Sequence, residues 1–205
     1  MVRTPRAEGR YVMPSYVERT SYGVKESNPY NKLFEERIVF LGSPVDDTAA
    51  NDVTAQLLAL EGMDPDRPIN LYINSPGGSL TAMLAIFDTM QYVSPVVETT
   101  CVGQAVSAAA ILLAGGAKGR RQALPGARIL LHEPAVDVSR GSSSDLEIQA
   151  AEILRLRDQT ERIVAEATGH GLETVRRDLD RARFFTAAEA LEYGLVDHVL
   201  TPRGR

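Results

Sequence analysis

The sequence predicts an α/β fold, in which helices cover a largely parallel sheet. Short apolar runs rich in β-branched residues alternate with longer segments of helical periodicity. The apolar runs end at Gly, Pro or a polar turn, and the helical segments begin with Asp or Ser, which favour helix N-termini. With 205 residues, 44% of them hydrophobic, the chain has enough apolar material for one domain with a sizeable core.

The predicted elements follow one another from residue 37. Strands are expected in RIVFLG, INLYINS, VVETTCVG and ARILLHEP, at residues 37–42, 69–75, 96–103 and 127–134, the last of them stopped by Pro134. Helices are expected in the segments 46–62, 79–93 and 107–116. In the first helix, Val53, Leu57 and Leu60 fall on one face. This order is that of an α/β chain.

Less regular segments flank this region. We expect residues 1–30 to form a polar N-terminal arm, of which the first ten or so could be a propeptide, and 201–205 a short tail. A Ser-rich loop at 135–145 precedes a long helix that Asp145 is expected to cap and that runs to about Thr168. Its apolar residues, Leu146, Ile153, Leu156 and Ile163, lie near a period of about 3.5. The helix can pack on its own core or project towards a partner subunit.

Composition excludes several function classes. The net charge of −5 argues against a nucleic-acid partner. The single cysteine, Cys101, lies in an apolar run and is expected to be a buried, inert thiol. No Cys/His spacing suggests a metal site, no apolar run reaches the ~18 residues of a membrane span, and no apolar segment follows the basic start as in a secretory signal. We expect a cytoplasmic protein without a cofactor or a membrane partner.

Ser107 is the serine best placed for nucleophilic chemistry. It follows a strand-like run and opens the Ala-rich helix SAAAILLA. Free N–H groups and the positive end of the helix dipole at such a position stabilise a negative tetrahedral intermediate. A serine there is also an ordinary N-cap, which is the simpler interpretation of this stretch alone.

A serine nucleophile needs a base, and His132 is the best candidate among the three histidines. It ends the strand-like RILL, at the edge where α/β folds place their sites. His170 lies between two glycines and suggests a turn, whereas His198 in VDHVL is expected to be half exposed. A lone histidine at a strand end is more often structural than catalytic.

A glycine turn supplies the third feature. In NSPGGSL, residues 74–80, Pro-Gly-Gly after a strand predicts a tight turn with bare backbone. Such a turn can present an N–H to an oxyanion, or it can be an ordinary strand–helix connection. Each signal is weak, but their order is specific: strand, Pro-Gly-Gly, helix; strand, Ser, Ala-rich helix; strand, His, Pro.

Four stretches carry a family resemblance: INLYINSPGGSLTAMLAIFDTMQYV, VGQAVSAAAILLAGGAKGRR, LPGARILLHEP and FFTAAEALEYGLVDHVL. Together they resemble the Clp protease proteolytic subunit, ClpP, of peptidase family S14, over roughly residues 30–200. The resemblance is closest to the second-type paralogues that assemble with a different ClpP subunit, which SYGVKESNPYNKLFEERI also resembles.

The resemblance implies a fold and a set of roles. The fold is a crotonase-like ββα superhelix over residues 31–200, with the helix at about 145–168 as a protruding handle that joins two seven-membered rings into a barrel. Ser107 would be the nucleophile, His132 the general base, and the backbone N–H groups of Gly78 and Ala108 the oxyanion hole. Substrate would pair as an added strand beside the Pro76–Gly78 turn and the chain after His132.

The same resemblance implies the partners and the activity. The partners would be other ClpP subunits, including a second paralogue, an AAA+ Clp ATPase unfoldase, and unfolded polypeptides. The activity would be that of a serine endopeptidase within an ATP-dependent Clp protease.

One position departs from the family pattern. In RDLDRARF, the Asp that completes the family's triad falls on Ala182, while the flanking Arg181, Arg183 and Phe184 all match. Asp180 is two residues away, too far along a strand or on the wrong face of a helix to replace it, and the resemblance gives Asp180 and Arg181 to ring–ring contacts. In other serine proteases this loss costs on the order of 10⁴-fold in rate, so weak intrinsic activity is expected.

The surface that the resemblance assigns to ATPase docking departs as well. Tyr72 and Tyr92 suit an apolar, aromatic docking pocket, whereas Asn70 and Gln122 are more polar than the family pattern. Docking on this subunit's face is therefore in question.

Three functions remain open. The chain could be a peptidase subunit that works through Ser107 and His132. It could be a structural or regulatory subunit that needs a complete-triad paralogue. It could also be a crotonase-type acyl-transfer enzyme, which the Ser/His pair disfavours because that fold does not need it.

Overall fold

The computed structural model describes residues 14–20, 23–133 and 142–201. The proposed propeptide, the Ser-rich loop up to residue 141, the chain that follows Glu133 and the end of the tail lie outside these residues. No helix within the described ranges is long and apolar enough to cross a membrane.

An N-terminal unit contains a hairpin that the sequence did not predict. Strands β1 (Tyr16–Thr20) and β2 (Gly23–Ser27) pair antiparallel, and α1 (Pro29–Glu35) follows. The side chain of Asn28 caps this helix by accepting from the Asn31 amide at 2.9 Å. The compact unit ends at Glu36, so the boundary expected at residue 30 falls within α1.

The second unit is built on a seven-stranded sheet. Its strands are β3 (Ile38–Leu41), β4 (Ile69–Ser75), β5 (Val97–Val106), β6 (Arg121–Ala123), β7 (Arg128–Leu131), β8 (Arg183–Thr186) and β9 (His198–Val199). The order is β3-β4-β5-β6-β9, and β7 pairs with both β5 and β8. All pairs are parallel except β7–β8. This mostly parallel sheet confirms the predicted α/β fold.

Strand β5 has two neighbours along one side. Its first half, Thr99 to Cys101, pairs with β6, and its second half, Gln104 to Val106, pairs with β7. The sheet therefore divides at β5 into one branch that ends in β9 and another that ends in β8. The second branch leads to the candidate site.

Within the described part of this unit, six helices accompany the sheet: α2 (Asp47–Met63), α3 (Leu80–Tyr92), α4 (Ala108–Ala114), α5 (Ser143–Thr168), α6 (Leu172–Leu179) and α7 (Ala187–Tyr193). The predicted apolar face of α2 is confirmed, because Val53, Leu57 and Leu60 are all buried. The side chain of Asp46 accepts from the Ala49 amide at 2.8 Å and caps α2, as its acidic start predicted.

The N-cap of the long helix α5 lies three residues before the expected one. Ser142 is the N-cap, and Asp145 lies inside the helix, where its carboxylate reaches back to Ser142 and completes a capping box. The two halves of α5 differ in burial. In its C-terminal half Leu156 and Val164 are buried, while in its N-terminal half Ile148 and Leu154 are 69% and 62% exposed. The C-terminal half therefore packs on the core, and the role of the exposed half as a handle stays a prediction.

A buried ion pair connects the start of β6 with the end of α5 and with the residue before β9. Arg121, 3% exposed at the start of β6, donates to Asp197 at 2.6 and 2.8 Å and to the carbonyl of Ala167 at 2.9 Å near the end of α5. Asp197 also accepts from the amides of Gly119 and Arg121. Burial opposes ionisation of Asp197, but the hydrogen bonds from Arg121 and these amides outweigh it and lower its pKa to about 2.

We predict that Asp197→Asn lowers the free energy of unfolding at pH 7 by about 3 kcal/mol, because it leaves the buried Arg121 cation without its counter-charge. A carboxyl group whose pKa is lowered in the folded protein stabilises the fold above its unfolded-state pKa of about 4. This stabilisation is lost as the pH falls through about 2. The difference in the free energy of unfolding between wild type and variant, measured by urea titration, should therefore become smaller from pH 4 to pH 2. Asp88→Asn, at an exposed site on α3, is the control. A difference that is absent at pH 7 would contradict the prediction.

Candidate functional site

The candidate residues gather at one edge of the sheet. Strands β4, β5 and β7 are mutually parallel, so their carboxyl ends meet at the same edge. Gly77 and Gly78 follow β4, Ser107 follows β5, and His132 follows β7. The amide of Ser107 donates to the carbonyl of Leu130 at 2.8 Å, which joins the strand ends that carry the serine and the histidine. The structure thus brings the three predicted features together.

Ser107 occupies a strained turn between strand and helix. Strand β5 ends at Val106 and helix α4 begins at Ala108, so Ser107 alone makes the turn. Its φ of 53° and ψ of −117° lie outside the regions that non-glycine residues favour. Such a conformation costs about 1–3 kcal/mol and persists only where the surroundings enforce it. The Ser107 side chain therefore takes no part in the hydrogen bonds of β5 or α4.

The side chain of Ser107 does not cap its helix. In α2, α3, α5 and α7 the N-cap side chain accepts a hydrogen bond from an amide of the first turn, but Ser107 makes no such bond. Only its carbonyl serves the helix, accepting from Ala110 and Ile111. Ser107 therefore occupies the N-cap position, as the simpler interpretation expected, but its hydroxyl does not cap the helix.

Two backbone amides at this edge have no protein partner within the described residues. Among the described residues, neither the Gly78 N–H nor the Ala108 N–H has a hydrogen-bond acceptor. Gly78 lies in an isolated bridge with Val45, but the bonds of that bridge use the carbonyl of Gly77 and the amide of Ser79 instead. Ala108 is the first residue of α4, where amides have no partner within the helix. Both are therefore available as donors beside Ser107.

Gly77 allows the turn after β4 to approach the serine. A Cβ at this position would lie 2.3 Å from the carbonyl oxygen of Val106 and 3.2 Å from the Cβ of Ser107. Its φ of +83° also favours glycine. No other residue type fits without a shift of the β5 backbone.

His132 is half-buried, and its ring faces a main-chain acceptor. Its Nδ1 lies 2.6 Å from the carbonyl oxygen of Glu133. No hydrogen bond joins its ring to the Ser107 hydroxyl within the described part of the chain. The other two histidines have contacts elsewhere: His170 packs on Tyr193 with ring centroids 4.4 Å apart, and the Nε2 of the exposed His198 lies 3.1 Å from the carbonyl oxygen of Gly119.

Ala182 directly precedes β8, and His132 directly follows β7. Strands β7 and β8 pair antiparallel and their last pair sets Leu131 opposite Arg183, so His132 and Ala182 both lie one residue beyond the same end of this strand pair. The methyl group of Ala182 offers the histidine no hydrogen-bond acceptor. Ala182 itself is exposed.

The neighbouring acids are engaged elsewhere. Asp178 accepts from the Tyr193 hydroxyl at 3.0 Å and pairs with Arg183 at 2.9 Å. Burial raises the pKa of Tyr193 to about 12, and its bond to Asp178 acts in the same direction. Asp180 is exposed, with its carboxylate 3.7 Å from Arg181. The assignment of Asp180 and Arg181 to ring–ring contacts stays a prediction.

Sequence reasoning missed one pair beside the site. Glu133, the residue after His132, forms a short ion pair with Arg157 of α5. Both are ordinary charged residues 24 positions apart. Nothing in the local pattern marks them, and only the packing of α5 against the end of β7 brings them together.

Comparison with known proteins gives one consistent result. The Clp protease family profile matches residues 21–203. The chain is 63% identical over 194 residues to the ATP-dependent Clp protease proteolytic subunit 1 of Corynebacterium glutamicum, with 95% of this chain and 93% of that protein covered. It is 60% identical over 196 residues to the subunit 1 of Thermobifida fusca, covering 96% and 88%, and 59% identical over 199 residues to the subunit 2 of Streptomyces coelicolor, covering 97% and 91%.

We predict that Gly77→Ala destabilises the chain more than Gly119→Ala. Both glycines have a φ of 83°, so both substitutions carry the same backbone cost of about 1–2 kcal/mol. Only at Gly77 does the new methyl group meet the β5 backbone, which adds about 1–3 kcal/mol, because at Gly119 nothing lies within 4 Å. The free energy of unfolding, measured side by side, checks this. Equal losses in the two variants would mean that the turn does not press on Ser107.

Proposed function

This chain belongs to the Clp protease family, and we propose that it is a proteolytic-core subunit of an ATP-dependent Clp protease, with Ser107 as nucleophile and His132 as general base. The observation that carries the proposal is the state of Ser107. Its hydroxyl takes no part in capping α4, and the free Gly78 and Ala108 amides lie at the same edge.

The proposed chemistry follows from these groups. The Ser107 oxygen attacks the carbonyl carbon of a peptide bond while His132 takes the hydroxyl proton, and the carbonyl electron pair moves onto oxygen. The Gly78 and Ala108 amides donate to that oxyanion. Collapse breaks the C–N bond, and the amine leaves with the proton from His132. Water then releases the acyl group by the same steps, so no metal or cofactor is needed.

One hydrogen bond must still form before this chemistry. The His132 ring bonds to the Glu133 carbonyl through Nδ1, which leaves Nε2 free, and the bond from the Ser107 hydroxyl to Nε2 must form when substrate binds. Catalytic hydrogen bonds are often long or unformed without substrate and tighten in the complex. The site therefore has the geometry expected before substrate binds.

The missing carboxylate at position 182 limits the proposed activity. An acid at position 182 would hold the His132 ring and stabilise the imidazolium formed during attack, and Ala182 can do neither. We therefore infer that the subunit alone is a weak peptidase. This inference also favours the second candidate, a structural or regulatory subunit whose complete-triad paralogue does the cutting.

The proposed partners follow from exposed surfaces. The N-terminal half of α5 presents apolar side chains, including Ile148 and Leu154, which suits the handle that joins two heptameric rings. The other subunits would include a second ClpP paralogue, and the substrates would be unfolded polypeptides supplied by an AAA+ Clp ATPase. The site would then face an enclosed chamber in the cytoplasm.

A groove on the opposite part of β5 bears on ATPase docking. It has a volume of about 910 Å³, and Tyr72, Val102 and Leu124 line it together with the polar Gln122. Tyr92 and Asn70 do not line it, so their predicted part in docking finds no support in the groove. We propose that Gln122 weakens docking of an apolar loop at this face, since its amide must be desolvated.

We predict that Ala182→Asp raises the hydrolysis of short fluorogenic peptides by at least about tenfold, with a ceiling on the order of 10⁴-fold, because the carboxylate would orient and stabilise His132. Ala182→Asn is the matched control. It has the same shape without the charge and should not be activated. No gain in a variant shown to assemble normally would contradict the role assigned to position 182.

A mixing experiment separates the two candidate functions. If this subunit cuts, Ser107→Ala in this chain should lower the peptidase activity of its complex with a complete-triad paralogue, because half of the reaction centres lose their nucleophile. The control is the complex with the wild-type chain at the same ratio. Unchanged activity after Ser107→Ala would assign the chain to the structural class.

A further inference from the structure

Without an acid at position 182, another group must orient His132, and one is in place. The ring nitrogen Nδ1 lies 2.6 Å from the carbonyl oxygen of Glu133. A carbonyl can only accept, so in this contact Nδ1 carries the proton and Nε2 keeps its lone pair. That is the tautomer that a general base needs to take a proton from serine through Nε2.

The carbonyl belongs to a residue that is held in place. The carboxylate of Glu133 pairs with the guanidinium of Arg157 on helix α5. The Nε of Arg157 also donates to Glu161 at 2.7 Å, one turn further along the same helix. The guanidinium therefore bridges an acid of its own helix and the residue that follows His132.

The support for Arg157 is itself rigid. Glu161 is only 2% exposed, and its second oxygen accepts from Arg176 of α6 at 2.9 Å. Arg176 also donates to Asp158 and Glu173, each at 2.8 Å. Because charges that share buried partners are poorly replaced by water, this network fixes the position of Arg157 more firmly than a lone surface pair could.

We propose that the main-chain carbonyl of Glu133, held by the Glu133–Arg157 pair, orients His132 in place of the missing carboxylate, and that Arg157 is a positioning residue that couples helix α5 to the site. The inference rests on the proposed function of His132. A neutral carbonyl sets the tautomer and direction of the ring but adds no negative charge. It therefore maintains an ordered site of low activity, and a shift of α5 would release the ring.

The first test observes the ring directly. The assembled protein, labelled with ¹⁵N-histidine, contains three rings per chain, and solid-state NMR at about pH 9, where imidazole is neutral, distinguishes the two tautomers. His198 is an internal reference, because its Nε2 faces the Gly119 carbonyl and it should show the opposite tautomer. Spectra of His170→Gln and His198→Gln assign the signals.

We expect His132 to be protonated at Nδ1 in the wild type and to become a mixture of tautomers in Arg157→Ala. Arg155→Ala is the matched control: the same residue type two positions along α5, ion-paired with Glu152 and pointing to solvent. Glu133→Gln, which removes the charge of the other partner without touching the helix, should resemble Arg157→Ala. A wild-type ring protonated at Nε2, or an Arg157→Ala spectrum identical to that of Arg155→Ala, would overturn the proposal.

The second test measures the consequence for Ser107. Labelling by a fluorophosphonate should slow about tenfold in its bond-forming rate in Arg157→Ala, with unchanged probe affinity, and Arg157→Lys should recover part of the rate. Equal rates in Arg157→Ala and Arg155→Ala would count against the coupling. Absence of labelling in the wild type would defeat the proposed function, while the NMR experiment would still decide the orientation of the ring.

Discussion

The site depends on how strand β5 pairs with its neighbours. Parallel pairing with β4 on one side and with β7 on the other aligns three strand ends at one edge. Each of those ends carries a different group, since β4 leads into the glycine turn, β5 into Ser107 and β7 into His132. A change of register in any of the pairs would move one group relative to the other two. Strand pairing therefore determines where the three groups lie relative to one another. The chemistry then depends on which residue types occupy these positions.

The sequence predicted those strands and helices whose own residues show a clear hydrophobic pattern. INLYINS alternates buried and less buried residues before a Pro-Gly-Gly break, and β4 spans it in full. By contrast, β6 and β9 have three and two residues and exist only through pairing, which no local pattern reveals. Strand β5 was expected to end at Gly103 but continues to Val106. There the glycine accommodates the Asn74 side chain, which a Cβ would approach to 2.7 Å, and so marks close packing within the strand.

The site was predictable in its positions but not in its contacts. Strand ends in α/β folds meet at one edge, so the proximity of Ser107 and His132 follows from order alone. The direction of the His132 ring depends on Glu133 and Arg157, whose contact spans 24 residues and arises only when α5 packs. Likewise, only the β7–β8 pairing brings together the strand ends next to which His132 and Ala182 lie, because a charged stretch such as RRDLDRARFF gives no pairing signal of its own.

Because Ala182 is exposed to solvent, the residue at this position can affect chemistry without affecting folding, whereas many active-site residues affect both. Buried catalytic acids usually contribute to folding as well as to chemistry, so their loss weakens both. A side chain at an exposed strand margin contributes little to folding free energy, commonly within about ±0.5 kcal/mol. The scaffold is therefore indifferent to the residue at this position. If position 182 has the role proposed above, one substitution there would change catalytic power while the fold stays the same.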